Sequence, residues 1–391
     1  MAPPHPPASP PNSLPDPGSR VDRPPRLPSL TGLRFLAALL VFVFHASLLY
    51  SPVPPHTQVS PYRDAAVADA IWAVVNKAGF VGVSFFFVLS GFVLTWSARP
   101  GDRVVAFWRR RILKIFPNHA VTWALAMVLF AGAVTPLSAW LPNLLMVHAF
   151  FPQGYIFSSV NPPAWSLCCE LLFYLLFPFL IHPIRRIGDR WLWAWAGAMV
   201  AGMVGVQLVM QFLIPDEPVP PMSPVSIVQS WFGYIFPPMR LFEFVLGVFL
   251  ARIVLAGRWP RGVNLAWAGV LMAAGYAAAL AAPLLYGYAV ATVVPIAAVI
   301  CAAASVDVRG ARTFLGGRVM RWLGEVSFGF YLAQGITLLY LRSLFHADGY
   351  GVPLGTLVLV CLFLATLLGG WLLHTCVERP IMRRWARTRP A

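Results

Sequence analysis

Long apolar segments separated by short polar ones recur along most of the chain. A helix that crosses a bilayer needs about 20 mostly apolar residues, and these segments have roughly that length. We count about ten of them, near residues 30–50, 71–97, 119–135, 164–184, 191–213, 237–256, 263–282, 286–304, 327–345 and 352–377. The pattern predicts an all-α, polytopic membrane helical bundle of about ten transmembrane helices. The apolar stretch at 140–152 is shorter and proline-rich, which favours a re-entrant or interfacial segment.

Basic residues concentrate in every second connection between these spans. Because cytoplasmic loops carry the excess of Lys and Arg, the alternation predicts that both termini are cytoplasmic. The chain has 59% hydrophobic and 11% charged residues, so its net charge of +15 indicates membrane topology and not a nucleic-acid partner. We expect a multi-pass protein of the cell (plasma) membrane, of the bacterial inner-membrane type, embedded in the lipid bilayer.

The ends of the chain differ in composition from its middle. Residues 1–28 are rich in proline and poor in large apolar side chains, which predicts a disordered cytoplasmic tail. Residues 29–380 form the predicted transmembrane domain, and 381–391 a basic cytoplasmic tail. We expect no cleaved signal peptide and no second catalytic domain after the last span. The cysteines all lie in apolar runs, which argues against a disulfide framework or a zinc site, so we expect no metal and no bound cofactor.

The first span carries two ionisable residues, Arg34 and His45. Such groups are costly in hydrocarbon and by default indicate a functional site. Eleven residues correspond to about 16 Å along a helix and to within about 20° of one face, so a single groove can hold both. With the predicted orientation, Arg34 lies near the cytoplasmic side and His45 lies beyond the midplane.

The fourth span carries Glu170 about two turns below its predicted outer boundary, near the depth expected for His45. A carboxylate beside an imidazole fixes its tautomer and raises its basicity, as a general base requires. The pattern therefore predicts that Glu170 orients a catalytic His45. The alternative is that Glu170 is half of an intramembrane ion pair without a catalytic role.

A basic cluster follows the second span and comprises Arg109, Arg110, Arg111 and Lys114. Taken alone it is ordinary cytoplasmic loop charge. Together with Arg34 it is also suited to a polyanionic ligand that enters from the cytosol, and acyl-coenzyme A fits this geometry. Its phosphates would stay at the basic cluster while a pantetheine arm, similar in length to the Arg34–His45 spacing, carries the thioester inward.

Seven segments give the chain a specific resemblance to a known family. They are TGLRFLAALLVFVFH, GVSFFFVLSGFVL, FWRRRILKIFP, NPPAWSLCCELLFYLLFP, RLFEFVLGVFLA, VSFGFYLAQ and ERP at 378–380. In this order, the chain from about residue 27 to 385 resembles the acyltransferase-3 family of integral-membrane O-acyltransferases. The resemblance implies an acyl-coenzyme A donor, acetyl-coenzyme A in particular, an acceptor hydroxyl that is usually on a sugar, and an essential first-span histidine. It marks Arg34, His45, Ser90, Gly91, Arg111, Trp165, Ser166, Glu170, Tyr174, Arg240, Glu243 and Glu378.

Several of these positions also have a purely structural interpretation. Arg240 and Glu243 are one helical turn apart, so pairing with each other is as well supported as a catalytic role. Trp165 and Tyr174 are also typical of interfacial or packing aromatics. The pair Ser90–Gly91 suits close helix approach as well as chemistry.

The chain departs from the family pattern at a few positions. Thr31 stands where the family often has Asp, Gln334 where many members have His, and Lys114 often corresponds to Arg. A nucleophile at Cys168–Cys169 is disfavoured because buried apolar thiols are normally inert. His148, in the predicted outer segment 136–163, is a further candidate for acceptor contact.

The sequence as a whole predicts an O-acyltransferase that moves a short acyl group, most simply acetyl, from acyl-coenzyme A to a hydroxyl. His45 acts as general base on the acceptor or carries the acyl group itself. The resemblance leaves a sugar, a cell-envelope glycan and a macrolide-type product open as acceptors. The alternative function is a multi-pass transporter of a small or lipid-linked substrate, since intramembrane charges also mark transport pathways. The chain has no internal repeat of the kind that many transporters show.

Overall fold

The computed structural model describes residues 25–52, 56, 58–98, 101–219, 225–344 and 349–385. Within these ranges the chain is a bundle of helices, and its extended pairing is limited to an isolated bridge between Tyr62 and Tyr350. The helices are α1 (Pro28–Ala46), α2 (Ala65–Val75), α3 (Ala78–Ser97), α4 (Val104–Ala126), α5 (Leu137–Leu144), α6 (Gly154–Phe157), α7 (Trp165–Arg186), α8 (Leu192–Leu213), α9 (Ile227–Ser230), α10 (Pro237–Leu255), α11 (Leu265–Ala281), α12 (Leu284–Gly287), α13 (Val290–Val308), α14 (Arg318–Leu339), α15 (Val352–Leu372) and α16 (Arg379–Trp385).

Seven helical stretches are long and apolar enough to cross a membrane. They are Pro28–Ala46, Ala65–Ser97, Val104–Ala131, Pro162–Arg186, Asp189–Leu213, Val290–Val308 and Val352–Trp385. Helices α10, α11 and α14 coincide with the other three predicted spans. Of these, α11 has 17 residues, while α10 carries the charges of Arg240, Glu243 and Arg252. The polytopic helical membrane bundle is thus confirmed, and the exact number of crossings stays a prediction.

Helix α3 lies at the centre of the bundle. Fifteen of its 20 residues are buried, as expected for a helix that is apolar all round. It packs against α10 on one side and against α1 on the other. The contact with α10 is close because a Cβ on Gly91 would lie 1.9 Å from the Phe244 carbonyl oxygen, and a Cβ on Gly247 1.9 Å from the Val88 carbonyl oxygen. These glycines let the two backbones touch.

Helix α1 packs between α3 and α14. The rings of Phe35 and Phe42 lie 5.6 and 5.5 Å from the ring of Phe330 on α14. The first turn has no side-chain cap of its own. Asp307, at the end of α13, supplies one by accepting hydrogen bonds from the Ser29 amide at 2.8 Å and the Ser29 hydroxyl at 2.6 Å. This cap fixes the depth of α1, and with it the positions of Arg34 and His45.

Two predicted boundaries are wrong. The span at 71–97 is divided at Asn76–Lys77, where the Asn76 amide donates 2.9 Å to the Trp72 carbonyl at the end of α2. The basic segment expected to connect the second and third spans is helical, because α4 begins at Val104 and runs through the Arg-rich cluster. Leu, Ile, Arg and Lys are good helix formers, and buried Phe107 and Ile115 give this part of α4 an apolar face.

The two ends of the bundle differ in character. We call the end that carries Arg110, Arg185 and Arg252 the basic end, and the opposite end, which carries Ser47 and Gly351, the far end. At the far end, the segment 140–152, predicted to be re-entrant or interfacial, contains the second half of α5 and a 3-10 turn at His148–Phe150, and the short helix α6 follows it.

The predicted tails fall mostly outside the described residues. Residues 1–24 and 386–391 belong to this part of the chain, and the predictions for them stay predictions. The described remainder of the first tail contacts the bundle, since the Pro25 carbonyl accepts a hydrogen bond of 3.0 Å from the Trp96 indole. At the other end, α16 continues helical to Trp385.

The glycine contact between α3 and α10 yields a stability prediction. Gly247→Ala should lower the Tm of the detergent-purified protein by several degrees, because the added methyl meets backbone and overpacking costs roughly 1–3 kcal/mol. Gly269→Ala on α11 is the matched control, since nothing lies within 4 Å of its added Cβ. Its Tm should stay unchanged or rise slightly. Equal shifts for the two variants would contradict the close approach.

Candidate active site

A buried cavity of about 70 Å³ lies inside the bundle. Its walls come from α1, α3, α4, α7 and α14, and its polar lining residues are Arg34, Lys114, Ser166, Glu170, Tyr174 and Tyr331. We call it the inner cavity. Phe86, Phe87 and Phe328 line it too, so charged groups face one another across a mostly apolar space. Electrostatic interactions are stronger in such surroundings than in water.

Glu170 is the carboxylate of the inner cavity. It accepts a hydrogen bond of 3.0 Å from the Tyr174 hydroxyl, one turn further along α7. Arg34, Arg111 and Lys114 all interact with it electrostatically. Two sequence-distant helices, α1 and α4, therefore present cations to one carboxylate on α7.

Lys114 has a second carboxylate partner. Its ammonium forms a salt bridge with Glu378, which lies at the end of a π-helical turn after α15. Glu378 also accepts from Asn118 at 3.3 Å and lies 3.4 Å from the His374 ring nitrogen Nδ1. The predicted Lys114 and Glu378 sites are thus one cluster, and much of the Lys114 charge is balanced inside the protein.

A wider cleft of about 500 Å³ opens at the basic end. Arg110, Arg111, His182 and Arg185 contribute to its lining, with Asp102 3.3 Å from Arg110. We call it the basic-end cleft. Arg109 is exposed and lies outside the lining of this cleft and of the inner cavity. The predicted basic cluster is therefore divided by the helical geometry of α4, with neighbouring residues facing different surroundings.

Arg111 lies between the cleft and the inner cavity. Its guanidinium is 5.5 Å from the centre of the Phe107 ring and 5.8 Å from that of Tyr174, which lines the inner cavity. Its Nε is buried without a hydrogen-bond partner among the described residues. A buried guanidinium with spare donors is well suited to an anionic ligand.

His45 lies at the last turn of α1, towards the far end. Its Nδ1 is 3.1 Å from the Gln334 side-chain oxygen Oε1 on α14. The Gln334 amide nitrogen donates 2.9 Å to the Tyr331 carbonyl, which fixes the orientation of the amide. Since Oε1 can only accept, Nδ1 carries the proton and Nε2 keeps the lone pair. This is the tautomer that a general base at Nε2 requires.

The predicted contact between Glu170 and His45 is therefore wrong. The position beside His45 belongs to Gln334, and Glu170 faces Arg34 in the inner cavity instead. The reason is that α7 begins deeper in the bundle than the hydropathy pattern indicates. Asn161, just before α7, donates 3.2 Å to the Leu332 carbonyl on α14, two residues from Gln334. Glu170 is more than two turns further along the chain, towards the basic end.

Most of the other marked residues make contacts within the bundle. Arg240 and Glu243 form a buried salt bridge of 2.8 Å, as the alternative interpretation predicts, and Arg240 also donates 3.2 Å to Ser84. The Trp165 ring packs 5.0 Å from the Tyr234 ring. Gly91 serves the close approach of α3 and α10, and Ser90 lines neither the inner cavity nor the basic-end cleft.

Ser166 is the exception, because it lines the inner cavity and its hydroxyl lies 2.9 Å from the Tyr331 hydroxyl. His148, a candidate for acceptor contact in the sequence, is fully buried and lies 3.3 Å from the Cys168 sulfur. Sequence reasoning missed Gln334, Tyr331, Asn118 and His374 as site residues. Only Gln334 carried a signal, as a departure from the family pattern.

Within the described residues, no three His, Cys, Asp or Glu side chains come together as metal ligands would. The described site instead comprises two spaces with cationic side chains in their walls, the basic-end cleft and the inner cavity. Arg111 lines the cleft and lies near Tyr174 of the inner cavity, and α1 carries Arg34 in the cavity wall and His45 eleven residues further on. Charged groups held in this way inside a membrane bundle mark a candidate functional site.

Comparison with known proteins places the chain in a family. It matches the acyltransferase domain model over residues 27–375. It is 40% identical over 379 residues to acyltransferase MdmB of Streptomyces mycarofaciens, covering 93% of this chain and 94% of that protein. The chain belongs to the acyltransferase-3 family and is an O-acyltransferase, which confirms the resemblance.

More distant relatives are longer proteins. Peptidoglycan O-acetyltransferase OatA of Listeria monocytogenes is 24% identical over 340 residues, covering 78% of this chain and 48% of that protein. O-acetyltransferase OatA of Staphylococcus aureus is 25% identical over 256 residues, covering 60% of this chain and 35% of that protein. The chain thus aligns with half or less of each of these two. No solved structure matches it.

The Lys114–Glu378 cluster yields a second stability prediction. Glu378→Gln should lower the Tm by several degrees, because it removes the carboxylate that forms the salt bridge with the partly buried Lys114 ammonium. The double variant with Lys114→Met should recover part of the loss, since no charge is then left unpaired. Thermal unfolding of the four proteins in detergent forms a double-mutant cycle. Additive Tm losses would show that the pair does not stabilise the bundle.

Proposed function

We propose that this O-acyltransferase moves a short acyl group, most simply acetyl, from acyl-coenzyme A to a hydroxyl group. The observation that carries the proposal is the alignment of three features along α1 and α4. These are the basic-end cleft, the inner cavity with Arg34, and His45 eleven residues beyond Arg34 on α1. About 16 Å of helix separates the two α1 residues, similar to the reach of a pantetheine arm.

The basic-end cleft suits the nucleotide part of the donor. Arg110, Arg111 and Arg185 supply positive charge there, and guanidinium groups pair with phosphates in bidentate fashion. The inner cavity is small, which favours a narrow arm and a short acyl group over a long chain. Arg34 then meets the thioester region, where it polarises the carbonyl or holds the arm.

In the proposed reaction, His45 is the general base. The acceptor hydroxyl oxygen attacks the thioester carbonyl carbon while His45 Nε2 takes the hydroxyl proton. The carbon–sulfur bond then breaks, and the departing thiolate of coenzyme A takes up that proton. Gln334 is a positioning residue that holds the required tautomer. Glu170 acts as the counter-charge that keeps Arg34 and Arg111 directed into the path.

The proposed orientation follows from the charge alternation in the sequence. Cytoplasmic loops collect Lys and Arg, so the basic end would face the cytosol, where acyl-coenzyme A is made. The membrane would be the plasma membrane of a bacterium. The acceptor would be a hydroxyl on a sugar, a cell-envelope glycan or a macrolide-type product.

The role of His45 is tested by replacing it. His45→Ala should abolish release of free coenzyme A from labelled acetyl-coenzyme A in detergent when a panel of candidate alcohols is present. Gln334→Leu should lower kcat roughly ten- to a hundredfold with the KM for acetyl-coenzyme A unchanged, since it disturbs only the base. Both variants should elute as the wild type does in size-exclusion chromatography. Normal turnover by His45→Ala would overturn the assignment, and a transporter would release no coenzyme A at all.

The donor path is tested on α4, which offers a matched pair of arginines. Arg111→Ala should raise the KM for acetyl-coenzyme A about tenfold or more, because a charged hydrogen bond contributes roughly 1.5–3 kcal/mol. Arg109→Ala, an exposed residue two positions earlier, should leave that KM within about twofold of the wild-type value. Similar KM values for the two variants would contradict a donor path through Arg111.

A further inference from the structure

A large cavity at the far end is not used by the donor path. Its volume is about 1040 Å³, at the upper limit of ligand pockets, which measure roughly 300–1,000 Å³. We call it the far-end cavity. It begins at Leu48 and Leu49, directly after α1, and the Leu48 amide bonds to the His45 carbonyl at 3.3 Å. Trp72, another lining residue, packs against Phe44, the neighbour of His45. The cavity therefore lies within one turn of His45, on the side away from Arg34.

Its opposite wall is the segment between α4 and α7, which contributes Thr135, Tyr155, Phe157 and Ser158. Buried hydrogen bonds tie this segment to the bundle. The Asn143 amide donates 2.8 Å to the Ser159 carbonyl, and the Asn143 carbonyl lies 2.8 Å from the ring nitrogen Nε2 of His119 on α4.

A third contact connects this segment to the bundle, because the Cys168 sulfur on α7 lies 3.3 Å from the His148 ring nitrogen Nδ1. These buried polar groups, which the donor path leaves unused, thus have a role as supports of the cavity wall. Val160, a further lining residue, has a φ of 57°, which is strained for a β-branched side chain. Such strain persists only where the surrounding structure holds it, so this wall of the cavity has a defined conformation.

The side chains that line the far-end cavity limit which kinds of molecule can bind there. Aromatic and aliphatic groups dominate, and the polar lining side chains are His56 and the hydroxyl-bearing residues Tyr50, Ser51, Thr135, Tyr155, Ser158 and Ser159. Among the described residues that line the cavity, none is Asp, Glu, Lys or Arg. A charged glycan strand would lose its hydration here without gaining a counter-charge. A bulky, uncharged molecule with hydroxyl groups would bury its apolar surface and keep hydrogen bonds to hydroxyl side chains of the lining.

We propose that the far-end cavity is the acceptor site and that it takes a bulky, uncharged, largely apolar alcohol. The acceptor then meets His45 from the end of the bundle opposite the donor. This inference rests on the proposed function, because it assigns the second substrate of the same reaction. Donor and acceptor would approach Nε2 through separate openings, so neither has to leave before the other binds.

The proposal is tested by a substitution whose side chain fills part of the far-end cavity. Gly154, the first residue of α6, lines it, and a Cβ there would meet the Ile227 side chain at 3.7 Å, which is ordinary contact. Gly154→Trp should therefore be accommodated while it occupies space that the acceptor needs. Gly351→Trp is the matched control, also at the far end, with nothing within 4 Å of its added Cβ and no place in the cavity lining.

The probe acceptors are an uncharged macrocyclic lactone with free hydroxyls and, separately, a muramyl disaccharide, which carries a carboxylate. Wild type and Gly351→Trp should acylate the macrocycle. Gly154→Trp should raise the KM for the macrocycle about tenfold or more through steric exclusion and leave the KM for acetyl-coenzyme A unchanged. Unchanged kinetics in Gly154→Trp would overturn the proposal, and so would acylation of the disaccharide with the macrocycle inert.

Binding of the macrocycle to the His45→Ala variant, measured by isothermal titration calorimetry, separates this inference from the proposed function. Binding that is retained in His45→Ala and lost on adding Gly154→Trp supports the cavity as the acceptor site, whatever donor is used. Binding that survives Gly154→Trp overturns it. Consumption of no acetyl-coenzyme A by the wild type with any acceptor would contradict the proposed function alone.

Discussion

Every charge that a helix carries into a membrane has to be balanced by a partner, and this constraint organises the bundle. Arg240 and Glu243 satisfy it by pairing with each other, and Lys114 satisfies it through Glu378. Around the inner cavity, Arg34 and Arg111 share the carboxylate of Glu170, and Asp102 lies near Arg111 on the side of the basic-end cleft. The net charge of the side chains there is positive, and an anionic donor would neutralise it. The proposed site is thus the part of the bundle in which the cationic side chains outnumber the carboxylates near them.

Close helix packing makes that arrangement possible. Glycine contacts hold α10 against α3, and α3 in turn supports α1 along its length. The Asp307 cap sets the height of α1 at the basic end, while Gln334 contacts His45 near the other end. A helix fixed at both ends keeps the eleven-residue spacing between Arg34 and His45 at a constant depth. The same rigidity keeps the inner cavity and the far-end cavity apart, so in the proposed reaction the two substrates would meet at one imidazole.

Much of this could be predicted from the sequence, and the failures have a common cause. Apolar length identified the helices, and two ionisable residues in one apolar run are the basis for predicting a functional role for α1. The depth of individual residues in the bundle was harder to predict, because hydropathy does not show that the chain enters the bundle before α7 begins. Glu170 was therefore expected beside His45, although Asn161 occupies that level through its bond to the Leu332 carbonyl. Gln334 stood out in the sequence only as a departure from the family pattern, and its contact with His45 could not be predicted because nothing in the sequence relates the depths of α1 and α14.

A cryo-electron microscopy structure with a non-hydrolysable acetyl-coenzyme A analogue would show whether the donor reaches His45 through the basic end. We expect the phosphates against Arg110 and Arg111, and the acetyl carbonyl carbon about 3.5 Å from the position of an attacking oxygen held by His45 Nε2. Phosphates bound at the far end, or an acetyl group remote from His45, would contradict this route.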